Sequence, residues 1–160
     1  MYRIAVVDDN EAWCFVIDNL FQQEDFIVST FTDAAAFIRE AEQFDIALVD
    51  FSIPPRRYQK EMDGPDIIRK LKTSLAKPPF LVLISAFFTE DVLQSADKIC
   101  PEADAYLSKS MSLQEILHQV KGFAVSKKLG AKLGARSWGL GTRSQEGVGR
   151  RAWGVGSRRG

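Results

Sequence analysis

Short apolar runs alternate along this chain with stretches in which apolar residues recur every three or four positions. Residues 4–7 (Ile-Ala-Val-Val) are continuously apolar, as a central parallel strand buried on both faces requires. Helix-spaced Trp13, Val16, Ile17, Leu20 and Phe21 follow. Residues 26–31 predict a second strand, and Thr32 then caps a helix with Phe37, Ile38 and Ala41 on one face. Residues 46–49 predict the third strand. After a long loop, Gly64-Pro65 opens a helix with proline in its first turn, carrying Ile67, Ile68, Leu71 and Leu75. Residues 80–84 predict the fourth strand. Thr89, followed by Glu90 and Asp91, caps a short helix with Val92, Leu93 and Ala96. Residues 103–107 predict a weaker fifth strand. Ser112 and Glu115 form a capping box for the last helix, with Leu113, Ile116, Leu117 and Val120 inward. Five strands and five helices in strict alternation predict an α/β domain: a parallel, doubly wound sheet with helices on both faces.

Composition divides the chain in two. Residues 1–125 hold 12 Lys and Arg against 20 Asp and Glu, a net of −8. Residues 126–160 hold 9 Lys and Arg against Glu146 alone, a net of +8. All 11 Phe precede residue 126, and 9 of the 11 Gly follow it. The first part is therefore read as the domain, 1–125, and the second as a Gly/Arg-rich basic tail, 126–160, that composition marks as disordered. The tail repeats itself: Arg136-Ser-Trp-Gly-Leu-Gly-Thr-Arg returns as Arg151-Ala-Trp-Gly-Val-Gly-Ser-Arg, with a period of 15. Two cysteines, Cys14 and Cys100, in apolar or helical contexts read as buried free thiols of a reducing compartment. The N-terminus enters a strand directly, and no apolar run reaches the length of a membrane span. The expected localisation is cytoplasmic, with no membrane partner.

In a parallel sheet, ligands gather at the carboxyl ends of the strands. Asp8 and Asp9 follow strand 1, Asp50 follows strand 3, Ser85 strand 4 and Lys109 strand 5. Three carboxylates at one sheet edge repel strongly, by roughly 4 kcal/mol for two charges 4 Å apart at an effective dielectric near 20. A hard divalent cation, magnesium above all, relieves that repulsion. His118, the single histidine, is expected on the solvent face of the last helix and not in the site.

The acidic pair Asp8-Asp9, the lone Asp50, the hydroxyl of Ser85, the aromatic Tyr106 and Lys109 occur in an order and spacing that resemble the receiver domain of two-component response regulators, across residues 1–125. The resemblance implies a flavodoxin-like strand order, 2-1-3-4-5. It implies that Asp50 is the phosphoacceptor, that Mg2+ is held by Asp8, Asp9, Asp50 and the backbone carbonyl of Ser52, and that Ser85, Tyr106 and Lys109 bind the phosphoryl group and act as the switch. The chemistry is consistent: a carboxylate is a competent nucleophile toward phosphorus, and the transferred group needs positive partners. The implied donor is a histidine kinase or a histidine phosphotransfer protein.

Two positions depart from that pattern. Ser110 follows Lys109 where the family usually has proline, which leaves a cis peptide there in doubt. Ile53-Pro54 fits the loop after the aspartate, but Gly64 arrives several residues late, with Arg56, Arg57 and Lys60 in the added 55–62 stretch. That stretch is read either as a shield or selector for the partner, or as a tolerated surface insertion. The leading function is a stand-alone receiver that signals by docking to another protein, alone or as a homodimer. The alternative is a nucleic-acid-binding regulator whose Trp/Arg tail, by charge and stacking, is modulated by the receiver. A hydrolase with an aspartyl-phosphate intermediate fits less well, because Ser52 stands where such phosphatases carry a second acid.

Overall fold

The computed structural model describes residues 1–53 and 62–133, with side chains up to residue 127. Most of the 55–62 stretch and the repeats at 136–143 and 151–158 lie outside the described residues. Five strands form one sheet in the order β2-β1-β3-β4-β5: β1 Tyr2–Val7, β2 Phe26–Phe31, β3 Ile46–Asp50, β4 Phe80–Ser85 and β5 Ala105–Ser108. The pairings β1–β2, β1–β3 and β3–β4 are all parallel. Register aligns Val7 with Phe31 and Val49, and Asp50 with Ile84, so the carboxyl ends of these strands finish level.

Every residue of β3 is buried, as are Ile4–Val7 of β1 and all of β4 after Phe80. Covering such strands on both faces stabilises by about 1.5–3 kcal/mol per large aliphatic side chain. The helices are α1 Glu11–Gln22, α2 Ala34–Glu40, α3 Gly64–Ser74, α4 Glu90–Leu93, α5 Ala96–Ile99 and α6 Leu113–Leu133, with a short 3-10 turn at Ala41–Gln43. The chain divides into two compact units, Met1–Asp104 with Ser108–Ser110, and Ala105–Leu107 with the residues from Met111 on. In the first, Phe31, Phe37 and Phe44 meet at 5.6–6.4 Å between ring centroids. In the second, α6 buries Ile116, Leu117, Val120, Phe123 and Ala124, a helical stripe. Leu113 is left exposed, contrary to its expected inward role, because it lies in the first turn, ahead of that buried stripe. His118 is exposed, as expected.

Several local expectations change. The α1 stripe is Cys14, Ile17 and Phe21, while Val16 is exposed. Asp33, not Thr32, caps α2, accepting from the Ala35 N–H at 3.1 Å; carboxylate and hydroxyl compete for the same orphan donors, and the next residue wins. The expected fourth helix is two four-residue helices, giving six in all among the described residues. Between them Ser95 leaves the helical region (φ −120°, ψ 15°) and its hydroxyl donates to the Val92 carbonyl at 3.4 Å, a local bond that competes with helix propagation. Helix α6 continues past residue 125, the expected end of the domain, to Leu133. Lysine, which recurs in this stretch of the sequence, is a good helix former. Both cysteines are buried and neither forms a disulfide. Among the described residues, no helix is long and apolar enough to cross a membrane.

Candidate functional site

Asp8 leaves β1 at the sheet edge, with its N–H bonded to the Phe31 carbonyl at 2.9 Å. Its Oδ1 accepts from the Asn10 N–H at 2.9 Å, and Asn10 in turn caps α1 by accepting from Trp13 N–H at 3.1 Å. The turn into α1 thereby fixes Asp8, which is almost fully buried, and leaves Asp9 exposed beside it. Asp50 is the last residue of β3 and is buried. Ligand oxygens of Asp8, Asp9 and Asp50 lie within 4.8 Å of one another.

Lys109 supplies the positive charge. Its N–H donates to the Ser85 carbonyl at 3.0 Å, which ties the segment after β5 to the end of β4. Its Nζ donates to Asp8 Oδ2 and lies 3.3 Å from Asp50 Oδ1. The Trp13 ring covers the same ammonium, 5.1 Å from Nζ to the ring centroid. Burial works against the ammonium, but the bond to Asp8 and the charges of Asp50 and Asp8 outweigh it and raise its pKa. Asp50 is pushed up to about 6, first by burial and then by the charge of Asp8, with Lys109 opposing. Cys14, whose Sγ donates to the Asp8 carbonyl at 3.4 Å, is pushed up to about 11 by burial and by Asp8, which makes it an inert packing thiol.

Backbone packing holds the Asp50 end of β3. Phe51 N–H donates to the Ile84 carbonyl at 2.9 Å, and the Phe51 carbonyl accepts from Gly64 N–H at 2.8 Å. A Cβ at Gly64 would stand 2.3 Å from the Asp50 carbonyl oxygen and 2.9 Å from Leu83 Cδ1. Glycine is required there by close approach, and Asp63 and Asp66 cap α3 reciprocally at 2.9 and 3.3 Å to hold that approach. So Gly64, late in sequence, still arrives against Asp50 in space. Ser52 is exposed just beyond this clamp.

Ser85 is buried, and its Oγ accepts from the Phe87 N–H at 3.0 Å. Tyr106 is half-buried on β5, in the second unit. Ser110 closes a local turn, its N–H donating to Ser108 Oγ at 3.1 Å, with the two hydroxyls 2.6 Å apart. Proline has no N–H to make that bond. Asp8, Asp9, Asp50 and Lys109 are thus brought together as the sequence pattern predicts. Trp13 counts in the sequence only as an apolar helix position; its signal is its place in the first turn of α1, four residues after Asp9.

Three carboxylates against one ammonium leave two excess negative charges once all three are ionised. An all-oxygen, convergent anionic set fits a hard divalent cation such as Mg2+. A carboxylate facing an ammonium at such a site is equipped for nucleophilic phosphoryl transfer.

Comparison with known proteins bears on the family and the fold. The family model for the response regulator receiver domain matches residues 4–121. The signal receiver domain of a protein described as a Luxo repressor from Vibrio parahaemolyticus superposes with a TM-score of 0.69 at 15% identity, covering 84% of this chain and 98% of that one. A CheY-like response regulator receiver domain from Methanospirillum hungatei gives 0.65 at 20% identity, covering 81% and 98%. DrrB, an OmpR/PhoB homolog from Thermotoga maritima, gives 0.64 at 25% identity, covering 79% of this chain and 54% of that longer one. The chain belongs to the response regulator receiver domain family, the phosphate-accepting signalling domains of two-component phosphorelays.

Proposed function

We propose that this protein accepts a phosphoryl group on Asp50 from a histidine kinase or histidine phosphotransfer protein, and that the modified receiver surface changes its affinity for a protein partner. The observation that carries this is the buried Asp50 carboxylate, 3.3 Å from the Lys109 ammonium and grouped with Asp8 and Asp9. An Asp50 Oδ attacks phosphorus; the P–N bond of the phosphohistidine breaks, and the imidazole leaves with the electron pair. Lys109 exchanges a carboxylate for a phosphoryl oxygen, and the Ser85 hydroxyl gives up its turn bond to donate to another. Tyr106 is assigned the aromatic part of the switch on family resemblance.

Asp8, Asp9, Asp50 and the Ser52 carbonyl would hold Mg2+, which when bound neutralises the charge gathered on the transferred group. The proposed setting is cytoplasmic, and the role is signalling rather than turnover. Residues from 134 on are proposed to be dispensable for this chemistry. Incubation with acetyl phosphate and magnesium should add the mass of one phosphoryl group to the intact protein, and excess EDTA should prevent it. Labelling that persists unchanged in EDTA contradicts the assignment.

A further inference from the structure

Among the described residues, Trp13 has a placement at this site that the phosphoryl-transfer roles leave unexplained. Its ring lies over Lys109 Nζ at 5.1 Å from the centroid. Its own polar atom, Nε1, is buried and has no hydrogen-bond partner among the described residues. A buried N–H without an acceptor is unfavourable, and phenylalanine at this position would avoid it. The indole is therefore not explained by its hydrogen bonding. What it offers over other side chains is its face, the strongest of the aromatic faces toward a cation.

Lys109 has three N–H directions to satisfy. Two carboxylates engage it, Asp8 through Oδ2 and Asp50 through Oδ1 at 3.3 Å. The Trp13 face stands against the same ammonium, whose side chain is only 16% exposed. Trp13 sits in the first turn of α1, and its backbone N–H is the donor that the Asn10 side chain accepts at 3.1 Å. The N–H of the same Asn10 binds Asp8 Oδ1 at 2.9 Å, so one turn aims both the ring and the carboxylate at the lysine.

We infer that Trp13 is the positioning residue for Lys109: its face holds the ammonium beside Asp50 without taking up a hydrogen bond that the phosphoryl oxygen needs. A π face attracts the cation yet has no lone pair to compete with an incoming oxyanion. Lys109 exchanges Asp50 Oδ1 for a phosphoryl oxygen while staying against the ring, and the ring keeps water from the ammonium. Removing the face leaves the lysine to relax onto Asp8, farther from the reacting oxygen, and phosphorylation slows.

This rests on Asp50 being the phosphoacceptor, and the experiment separates the two claims. Rates of acetyl phosphate labelling at saturating magnesium are compared for wild type, Trp13→Phe and Trp13→Leu, alongside their melting temperatures. A cation–π contact of the usual strength corresponds to about a fivefold to thirtyfold slower reaction in Trp13→Leu, with Trp13→Phe in between. Trp13→Phe, relieved of the orphan N–H, should melt no lower than wild type although it labels more slowly. That divergence is what simple core packing does not produce. In a Trp138→Phe/Trp153→Phe background, Trp13 emission should change on labelling. Wild-type labelling rates in Trp13→Leu, or rates that track only melting temperature across the series, overturn the inference while Asp50 stands. Absence of any label in wild type overturns the Asp50 assignment and this inference with it.

Discussion

Asp50 carries a conflict between burial and charge. Burial first, and the charge of Asp8 second, raise its pKa from 3.8 to about 6. Between those values the folded protein keeps a proton that the unfolded chain has released. Stability from this residue is therefore highest at low pH, falls as pH rises from about 4 to about 6, and stays lost above. Asn at this position has no charge to desolvate. In EDTA, Asp50→Asn should be more stable than wild type by at most about 3 kcal/mol at pH 7 and by almost nothing at pH 3, as urea unfolding at several pH values would show. A difference independent of pH would mean that Asp50 is not held ionised against its surroundings. The same conflict predicts that added magnesium raises the melting temperature, as a ligand of the folded state alone does. Asp9 is exposed, so Asp9→Ala should fold normally yet lose most of that rise. A full magnesium response in Asp9→Ala would place the ion elsewhere.

At the scale of elements, the site is a set of strand ends held by helix starts. Gly64 shows how tight that is, since a Cβ there would meet the Asp50 carbonyl at 2.3 Å. Gly64→Ala must shift α3 or the end of β3, at a cost of about 1–3 kcal/mol or more, and should slow labelling of Asp50 by moving its backbone. Normal stability with normal labelling would show that α3 moves freely past the strand. Much of this layer is legible in the amino-acid sequence alone. Continuous apolar runs bounded by Asp8, Asp50 and Ser85 mark the strands and their ends, because period and burial are written in side-chain type. The rest depends on distance. The break at Ser95 is set by one side chain bonding its own helix. The close approach of Gly64 and the ring of Trp13 over Lys109 are contacts across 14 and 96 positions of chain, and local pattern alone states neither distance.

At the scale of the molecule, a body of net −8 precedes a segment of net +8. Charges that face each other across solvent attract weakly, being screened within about 8 Å at physiological salt. The division at residue 125 follows from composition, whereas α6 runs past it to Leu133. A chain ending at Leu133 should keep its melting temperature and its labelling rate at physiological salt; an unfolded truncation would make the basic segment part of the structure. The central claim is chemical and local. After labelling with acetyl phosphate and magnesium, borohydride reduction converts a phosphorylated aspartate to homoserine, and tandem mass spectrometry reads its position. The account predicts homoserine at position 50 alone, and none in Asp50→Asn. Homoserine at position 8 or 9, or undiminished labelling of Asp50→Asn, would contradict it.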